Sequence, residues 1–344
     1  MALIHPRSLE RWKEWRGSRR RLPGIHRAAR NRGEPSGFVL HVRRGEGPAR
    51  ILFGIDSAAD ASRSGLADVL PYLQGNVCAV TPAGVELDLL TGPGWTHQRI
   101  ADPVAGLGEL GVTALLSQGG HRAVGEALHD WAREAGVPAA VLQHDLLTPF
   151  AAPLPSRSTL LAWSAEDAAM HRAERDDVDV RIVGSQRLWQ ATREGRDGAV
   201  ELEDRPVFRG QLASFELPRR VTLGAAYSAC RSTGALYQPG PEETDRASRA
   251  VHALMHRRGI ELLDAASPLS AQLRPVLSVL SMDVLESAAR GVPAWVHAPR
   301  APEWIHEVWE RYGMQRMGRG PTAAPPVAAD EPARLIAQVL EGGA

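Results

Sequence analysis

The sequence predicts an α/β fold made of two Rossmann-like domains facing across a cleft. Three observations lead there. The chain has 344 residues, enough for two domains with sizeable cores. From residue 37 onward, short apolar runs alternate with helix-like segments, the pattern of a mostly parallel, doubly wound sheet. A polar, glycine-containing stretch, residues 193–206, interrupts that alternation, which then restarts.

Taken in order, residues 37–43 and 50–55 read as strands. Ser57, with Asp60 three residues on, caps a helix through Leu73. Residues 77–80 and 86–90 are short strands. Residues 112–117 form a strand that passes through Gly119-Gly120 into a helix ending at Ala135, with Gly136-Val137-Pro138 as its stop. Strands follow at 139–143, 160–163 and 180–183, with helices from Glu166 and from Ser185. After the linker, helices are expected at 218–231, 242–258, 282–290 and 302–311, and strands at 235–237, 275–280 and 294–297. Pro241, Glu242 and Glu243 fit the first turn of the helix 242–258. A Gly/Pro/Ala-rich connector, 318–329, leads to a last amphipathic helix, 331–340, which is placed to cross back to the first domain. The domain plan is therefore a basic arm or helix over 1–36, a first domain over 37–200, a second over 201–318, and a connector with its helix over 319–344.

Composition narrows the classes. Hydrophobic residues make up 44% and charged residues 23%, ordinary values for a soluble globular protein. No apolar run reaches the ~18 residues of a membrane span, and no signal-peptide pattern opens the chain. Cys78 and Cys230 stand far apart without metal-like spacing, so buried, inert thiols in a reduced cytoplasmic protein are expected. A net charge of zero hides an asymmetry: residues 1–50 carry +9 and the remainder −9. The basic segment around Arg19-Arg20-Arg21 is a candidate for peripheral contact with an anionic membrane surface. Nucleic acid is not favoured, because only Trp12 and Trp15 accompany these arginines, and their i,i+3 spacing suits docking of a helix on the protein body. No Gly-x-Gly-x-x-Gly fingerprint, P-loop or Gly-x-Ser-x-Gly elbow occurs, which argues against a dinucleotide dehydrogenase, an NTPase and an α/β-hydrolase.

Residues 278–297 are the most informative stretch. An apolar strand beginning before Ser278 gives way at Ser281 to a helix with Met282 and Asp283 in its first turn and Glu286 on its second. The helix stops at Gly291 and exits through Pro293 into another strand. Ligands of open α/β sheets bind beyond the carboxyl ends of the strands, where a helix N-terminus favours an anion. Ser281 and the amides after it are candidate phosphate contacts, and Glu286 a candidate acceptor for two ribose hydroxyls. An exposed glutamate on an ordinary helix is the equal alternative. His144, directly after the strand 139–143, sits where general bases are found in such folds, and Asp145 either orients or repels it. Gly119 and Gly120 allow close backbone approach to a ligand. Ser185 and Gln186 open a helix at another strand end and are candidate acceptor or phosphate contacts. His97, His121, His129 and His171 show no metal spacing with one another, so no metal is expected.

Together these pieces resemble the GT-B superfamily, and within it the CDP-glycerol glycerophosphotransferases of teichoic acid synthesis and related capsule polysaccharide transferases. In that group a first-domain strand ends in His-Gly, here His144-Asp145. A second-domain segment reads Tyr-x-Pro-His-Pro, here Tyr237-Gln238-Pro239-Gly240-Pro241. A Ser-rich turn leads a helix with Glu and a Gly-x-Pro exit, here Ser281 to Pro293. The similarity spans about residues 110–300. It implies a nucleotide-activated donor, CDP-, UDP- or GDP-linked, held on the second domain as a substrate, with no tightly bound cofactor. Glu286 would meet the ribose, Ser281 the phosphate, and Ser278, Met282, Asp283 and Gly240 would line the same site. His144 would deprotonate the acceptor hydroxyl. Three departures stand out: Gly240 replaces the second histidine, Asp145 replaces the glycine, and Asp283 puts a carboxylate where a donor phosphate should lie. They favour transfer from a nucleotide sugar over glycerophosphotransfer. A degenerate GT-B protein that binds nucleotide or glycan, or a nucleotide-sugar epimerase-like enzyme, are the alternatives.

Overall fold

The computed structural model describes residues 1–19, 37–58, 65–196, 202–265 and 273–342. Arg20, Arg21, the start of the helix expected from Ser57 and part of the 193–206 stretch lie outside them. The chain forms two compact units: Ala2–Gln186 with Ala328–Ala344, and Arg187–Val327 with Met1.

The first unit opens with helix α1 (Leu9–Arg19) and carries eight strands: β1 (Phe38–Arg43), β2 (Arg50–Gly54), β3 (Asn76–Pro82), β4 (Trp95–Ile100), β5 (Ala114–Ser117), β6 (Ala139–Leu142), β7 (Ser158–Ala162) and β8 (Asp179–Ile182). Helix α2 (Ala123–Ala135) follows β5 and α3 (Ala165–Arg172) follows β7. The sheet order is β4-β1-β3-β2-β5-β6-β7-β8. Strand β1 runs antiparallel to both β3 and β4, and the other pairs are parallel. Alternate residues of β2 serve opposite faces: Ile51 and Phe53 enter one core and Leu52 the other. Burial on both faces is what a largely parallel sheet requires, and it explains why its strands read as continuous apolar runs.

The second unit takes helix α4 (Gln186–Arg196) from its second residue onward. It then holds β9 (Val207–Arg209), α5 (Arg219–Thr233), β10 (Leu236–Gln238), α6 (Arg246–Arg257), β11 (Val276–Ser278), α7 (Met282–Ala289), β12 (Ala294–Val296) and α8 (Glu303–Arg311). Its four strands are all parallel, in the order β10-β9-β11-β12. The last helix, α9 (Pro332–Glu341), belongs to the first unit and buries Ala333, Ile336, Ala337 and Leu340 in one of its cores. Gln186 fastens it: its amide donates to Glu331 and accepts the Ala333 N–H, both at 2.9 Å. At the far end the Glu341 carboxylate accepts the Gln74 and Gly75 amides at 2.8 and 3.0 Å.

Helix α1 docks through its tryptophans. Trp12 is buried and donates its indole N–H to the Phe150 carbonyl at 2.8 Å, while Trp15 stacks on the Phe150 ring at 4.9 Å. Both cysteines are buried and unpaired, and burial pushes the Cys78 thiol up to about 11 and the Cys230 thiol to about 12. Among the described residues no helix is long and apolar enough to cross a membrane.

Four local expectations change. The strand expected over 86–90 is a 3-10 turn at Asp88–Leu90, because the buried Leu87 and Leu90 are three residues apart, which suits a three-residue turn and not alternation. Strand β4 follows instead; as an edge strand with four exposed residues it lacks an apolar signal. Strand β9, unforeseen, lies in the middle of the second sheet. The helix expected from Glu242 begins at Arg246, where the Asp245 carboxylate caps it by accepting the Ala247 and Ser248 amides at 2.9 and 3.1 Å.

Four histidines of the first unit are held neutral, chiefly by burial: His41, His129 and His171 with pKa values lowered to about 4, and His121 to about 3. Above about pH 6.5 both folded and unfolded chains carry them uncharged. Below it the unfolded chain takes up protons that the folded one refuses, so stability is lost as pH falls toward 4. Each histidine contributes up to about 1.4 kcal/mol per pH unit. Urea unfolding is expected to show a clearly lower midpoint at pH 5 than at pH 7; equal midpoints would refute this account.

Candidate functional site

Each sheet has a point where its strand order reverses, and there the loops leave in opposite directions and open a crevice. In the first unit this lies between β2 and β5, in the second between β9 and β11.

At the first reversal, Asp56 follows β2 and turns into the N-terminus of α2. Its two oxygens accept the Val124 and Gly125 amides at 2.9 and 3.0 Å. Desolvation raises the carboxyl pKa, and the two amides pull against that shift. The positive end of α2 is therefore already filled by a protein carboxylate. Gly119 adopts φ +119°, a conformation other residues rarely reach, and its amide donates to Ser117 Oγ at 3.0 Å. Ser117 is buried and meets His129 Nε2 at 2.7 Å. Gly120 is also buried.

His144 follows β6 and is half-buried. The preceding Gln143 is wholly engaged in bracing β6 against β7: its side chain accepts the Trp163 amide at 3.0 Å and donates to Asp167 at 2.8 Å, and its carbonyl accepts the Trp163 indole at 2.9 Å. Asp145 is exposed, and its carboxylate accepts the Leu146 amide at 2.8 Å, so it stiffens the loop beside His144. The surroundings are cationic: after burial, the charges of Arg122, His144, Arg16 and Lys13 lower the pKa of His121. Trp12 of α1 packs its edge on His121 at 5.6 Å. Ser185 and Gln186, by contrast, are buried at the start of α4, and the Gln186 amide is taken up by α9.

The second reversal gathers more of the expected residues. Gln211, just past β9, bridges to the end of β11: its oxygen accepts the Leu280 amide at 2.8 Å and its nitrogen donates to the Leu280 carbonyl. Ser278 is fully buried, with its hydroxyl 3.3 Å from both the Arg209 carbonyl and Gln211 Oε1. Ser281 caps α7, accepting the Asp283 amide at 3.1 Å, and Met282 is buried beside it. Asp283 does not stand bare at the helix end: Arg209 donates from Nε to its carboxylate at 2.7 Å. Arg209 Nη1 is buried and has no hydrogen-bond partner among the described residues. Sequence reading missed Arg209 because it missed β9; a Val-Phe-Arg run after a polar linker was the only signal. Glu286 is buried and ion-paired with Arg187, while Arg290 Nη1 stands 3.7 Å from its other oxygen. Arg290 in turn binds Glu194 of α4 at 2.7 Å. A ribose at Glu286 must therefore compete with a guanidinium.

Gly240 has a packing reason of its own. A Cβ there would stand 2.7 Å from the Gly210 carbonyl oxygen, where two backbone segments pass closely. Tyr237, from the same segment, directs its hydroxyl to the buried Glu243 at 2.8 Å; Glu243 also accepts the Leu212 amide at 2.8 Å and meets His252 Nε2 at 2.7 Å. No histidine fits position 240 without parting these segments. Gly240→Ala is expected to cost about 1–3 kcal/mol by overpacking, read as a lower urea midpoint, and an unchanged midpoint would show that the segments yield freely.

No protein-family model and no curated protein matches the chain. Solved structures do. The UDP-GlcNAc 2-epimerase of Methanocaldococcus jannaschii, in complex with UDP-GlcNAc and UDP, superposes with a TM-score of 0.58 at 9% identity, covering 86% of this chain and 100% of that one. The UDP-GlcNAc 2-epimerase of Neisseria meningitidis, bound to UDP-GlcNAc, gives 0.52 at 11% identity, covering 85% and 91%. At such identities the likeness is one of fold: the chain has the two-domain, Rossmann-like architecture of GT-B type.

Proposed function

We propose that the chain binds a nucleotide-activated sugar on its second unit and transfers the glycosyl group to a hydroxyl acceptor. One observation carries this: Arg209, with an unpartnered buried Nη1, stands beside the capped N-terminus of α7 at the strand-order reversal. Backbone amides meeting a guanidinium favour a diphosphate. Arg209 also holds Asp283, which removes the repulsion that this carboxylate would otherwise exert on a phosphate. In this arrangement the ribose hydroxyls donate to Glu286, displacing Arg187. The acceptor oxygen attacks the anomeric carbon, the bond to the diphosphate breaks, and the acceptor proton passes to His144. Stabilisation of the leaving diphosphate falls to Arg209 and α7. Transfer of a polyol phosphate from a CDP-linked donor would use the same nucleotide contacts but leave the nucleoside monophosphate, and the missing histidine at 240 counts against it.

A second reading has a specific support. The two similar structures above are UDP-GlcNAc 2-epimerases, and the chain covers nearly their whole length. Inversion at sugar C2 needs no acceptor, which separates the two chemistries.

Calorimetric titration with UDP, CDP and GDP is expected to show binding of at least one, weakened about tenfold or more in Arg209→Ala. If none binds at millimolar concentration, the nucleotide assignment falls. With the bound nucleotide's sugar and an acceptor, His144→Ala is expected to lower transfer by about a hundredfold or more while sparing donor affinity. An unchanged rate removes His144 as the base. Incubation with UDP-GlcNAc alone, followed by proton NMR, is expected to leave C2 unaltered; its inversion would establish the epimerase reading instead.

A further inference from the structure

Strands β1 and β4 bring together two histidines that lie 56 positions apart in sequence. His41 and His97 are directly opposed in the antiparallel register. Their Nδ1 atoms are 2.9 Å apart, with the ring planes at 80°. His41 is buried, and its other nitrogen, Nε2, lies 3.0 Å from the Thr81 hydroxyl on β3. His97 is exposed, on the edge strand of the sheet. Two imidazole nitrogens at this spacing share one proton. With His41 giving its Nε2–H to Thr81, its Nδ1 presents a lone pair toward His97.

We infer that His41 and His97 form a cross-strand chelate for a late first-row divalent metal ion, Cu²⁺ or Ni²⁺, bound through both Nδ1 atoms with solvent completing the coordination. Metal–imidazole bonds are about 2.0–2.1 Å long. Two such ligands at a right angle about one ion stand about 2.9 Å apart, whereas at the tetrahedral angle they stand about 3.3 Å apart. The observed 2.9 Å is the length of the hydrogen bond between the rings, so a right-angle bite needs little change in their separation; a site with two imidazoles and open positions for solvent suits Cu²⁺ and Ni²⁺ rather than the closed four-ligand tetrahedron of structural Zn²⁺. Binding requires the exposed His97 ring to give up its hydrogen bond to His41 and turn about χ2 so that the two lone pairs meet at the ion, and the shared proton leaves to solvent. Thr81 fixes the tautomer and plane of the buried ring, as outer-shell partners of metal-bound imidazoles do. The edge position gives the ion its entry path, and the bound ion ties β4, which pairs only with β1, to the rest of the sheet.

The chain has 12 histidines, so the test is a difference measurement. Calorimetric titration of the untagged full chain with Ni²⁺, and electron paramagnetic resonance with one equivalent of Cu²⁺, should report one site with two nitrogen ligands. His97→Gln, a change at an exposed position, is expected to weaken that site roughly tenfold or more and to remove one nitrogen from the Cu²⁺ signal. Thr81→Val keeps both rings and is expected to weaken binding roughly tenfold, the scale of a lost outer-shell partner. Thermal melts of each variant without metal check that the fold is retained. Unaltered Ni²⁺ affinity and an unaltered Cu²⁺ spectrum in a folded His97→Gln variant would overturn the assignment, as would tighter binding of Zn²⁺ than of Ni²⁺ by the wild type.

Discussion

Helix α7 carries two carboxylates near the place where a ligand of this fold would enter, and the second unit is built around answering their charge. Asp283 is met by Arg209 from the central strand β9, and Glu286 by Arg187 from α4 and Arg290 from its own helix. A buried carboxylate left alone costs several kcal/mol, so these pairings are conditions for α7 to sit where it does. They also tie three separate stretches of chain together, since Arg290 reaches on to Glu194. An ion pair at a crevice differs from one in a core, because one partner can be exchanged for a ligand at little net change in charge balance. Arg209 can hold Asp283 through Nε and still present Nη1. In the binding mode proposed above, Arg187 yields its place on Glu286 to hydroxyl groups. The same pairs that hold α7 in place thus define what a ligand at its N-terminus would have to compete with.

The two strand-order reversals are alike in topology and opposite in electrostatics. In the first unit the positive end of α2 is closed by Asp56, whose two oxygens take two amides. An anion arriving there would meet a carboxylate in its place. In the second unit α7 is closed only by a neutral serine, and the carboxylate of its first turn is drawn aside by Arg209. Phosphate is therefore favoured at one reversal and disfavoured at the other, a distinction that helix dipoles alone would not make.

Much of this architecture was legible in the sequence because parallel strands are buried on both faces and so appear as unbroken apolar runs. Residues 50–55, 77–80 and 139–143 announce themselves in that way. The strands that escaped notice have the opposite character. In β4 the residues Thr96, His97, Gln98 and Arg99 are exposed, and an edge strand needs no apolar face to pair. In β9 only Val207 and Phe208 are buried, too few to register as a period. Each omission hid chemistry: β4 carries His97 opposite His41, and β9 carries Arg209 opposite Asp283. Residues that act through local backbone, such as the cap Ser281, could be read from spacing. Residues that act through a partner many positions away could not, because pairing between strands is a long-range outcome of the whole sheet.

Gly240 shows how a departure from a motif can have a structural origin. Set beside the Tyr-x-Pro-His-Pro segment that residues 237–241 resemble, it stands where that segment has a histidine. Read in the fold, it is one side of a crossing in which Gly210 is the other, and the space a side chain would need is filled by backbone. The crossing is held shut by Glu243, which binds Tyr237, the Leu212 amide and His252 at once. A side chain at position 240 requires the Gly210 carbonyl to shift, because a Cβ there would stand 2.7 Å from its oxygen, whereas Glu243 Oε1 at 3.5 Å is in ordinary contact. In the transfer proposed above the proton acceptor is instead His144, half-buried directly after β6.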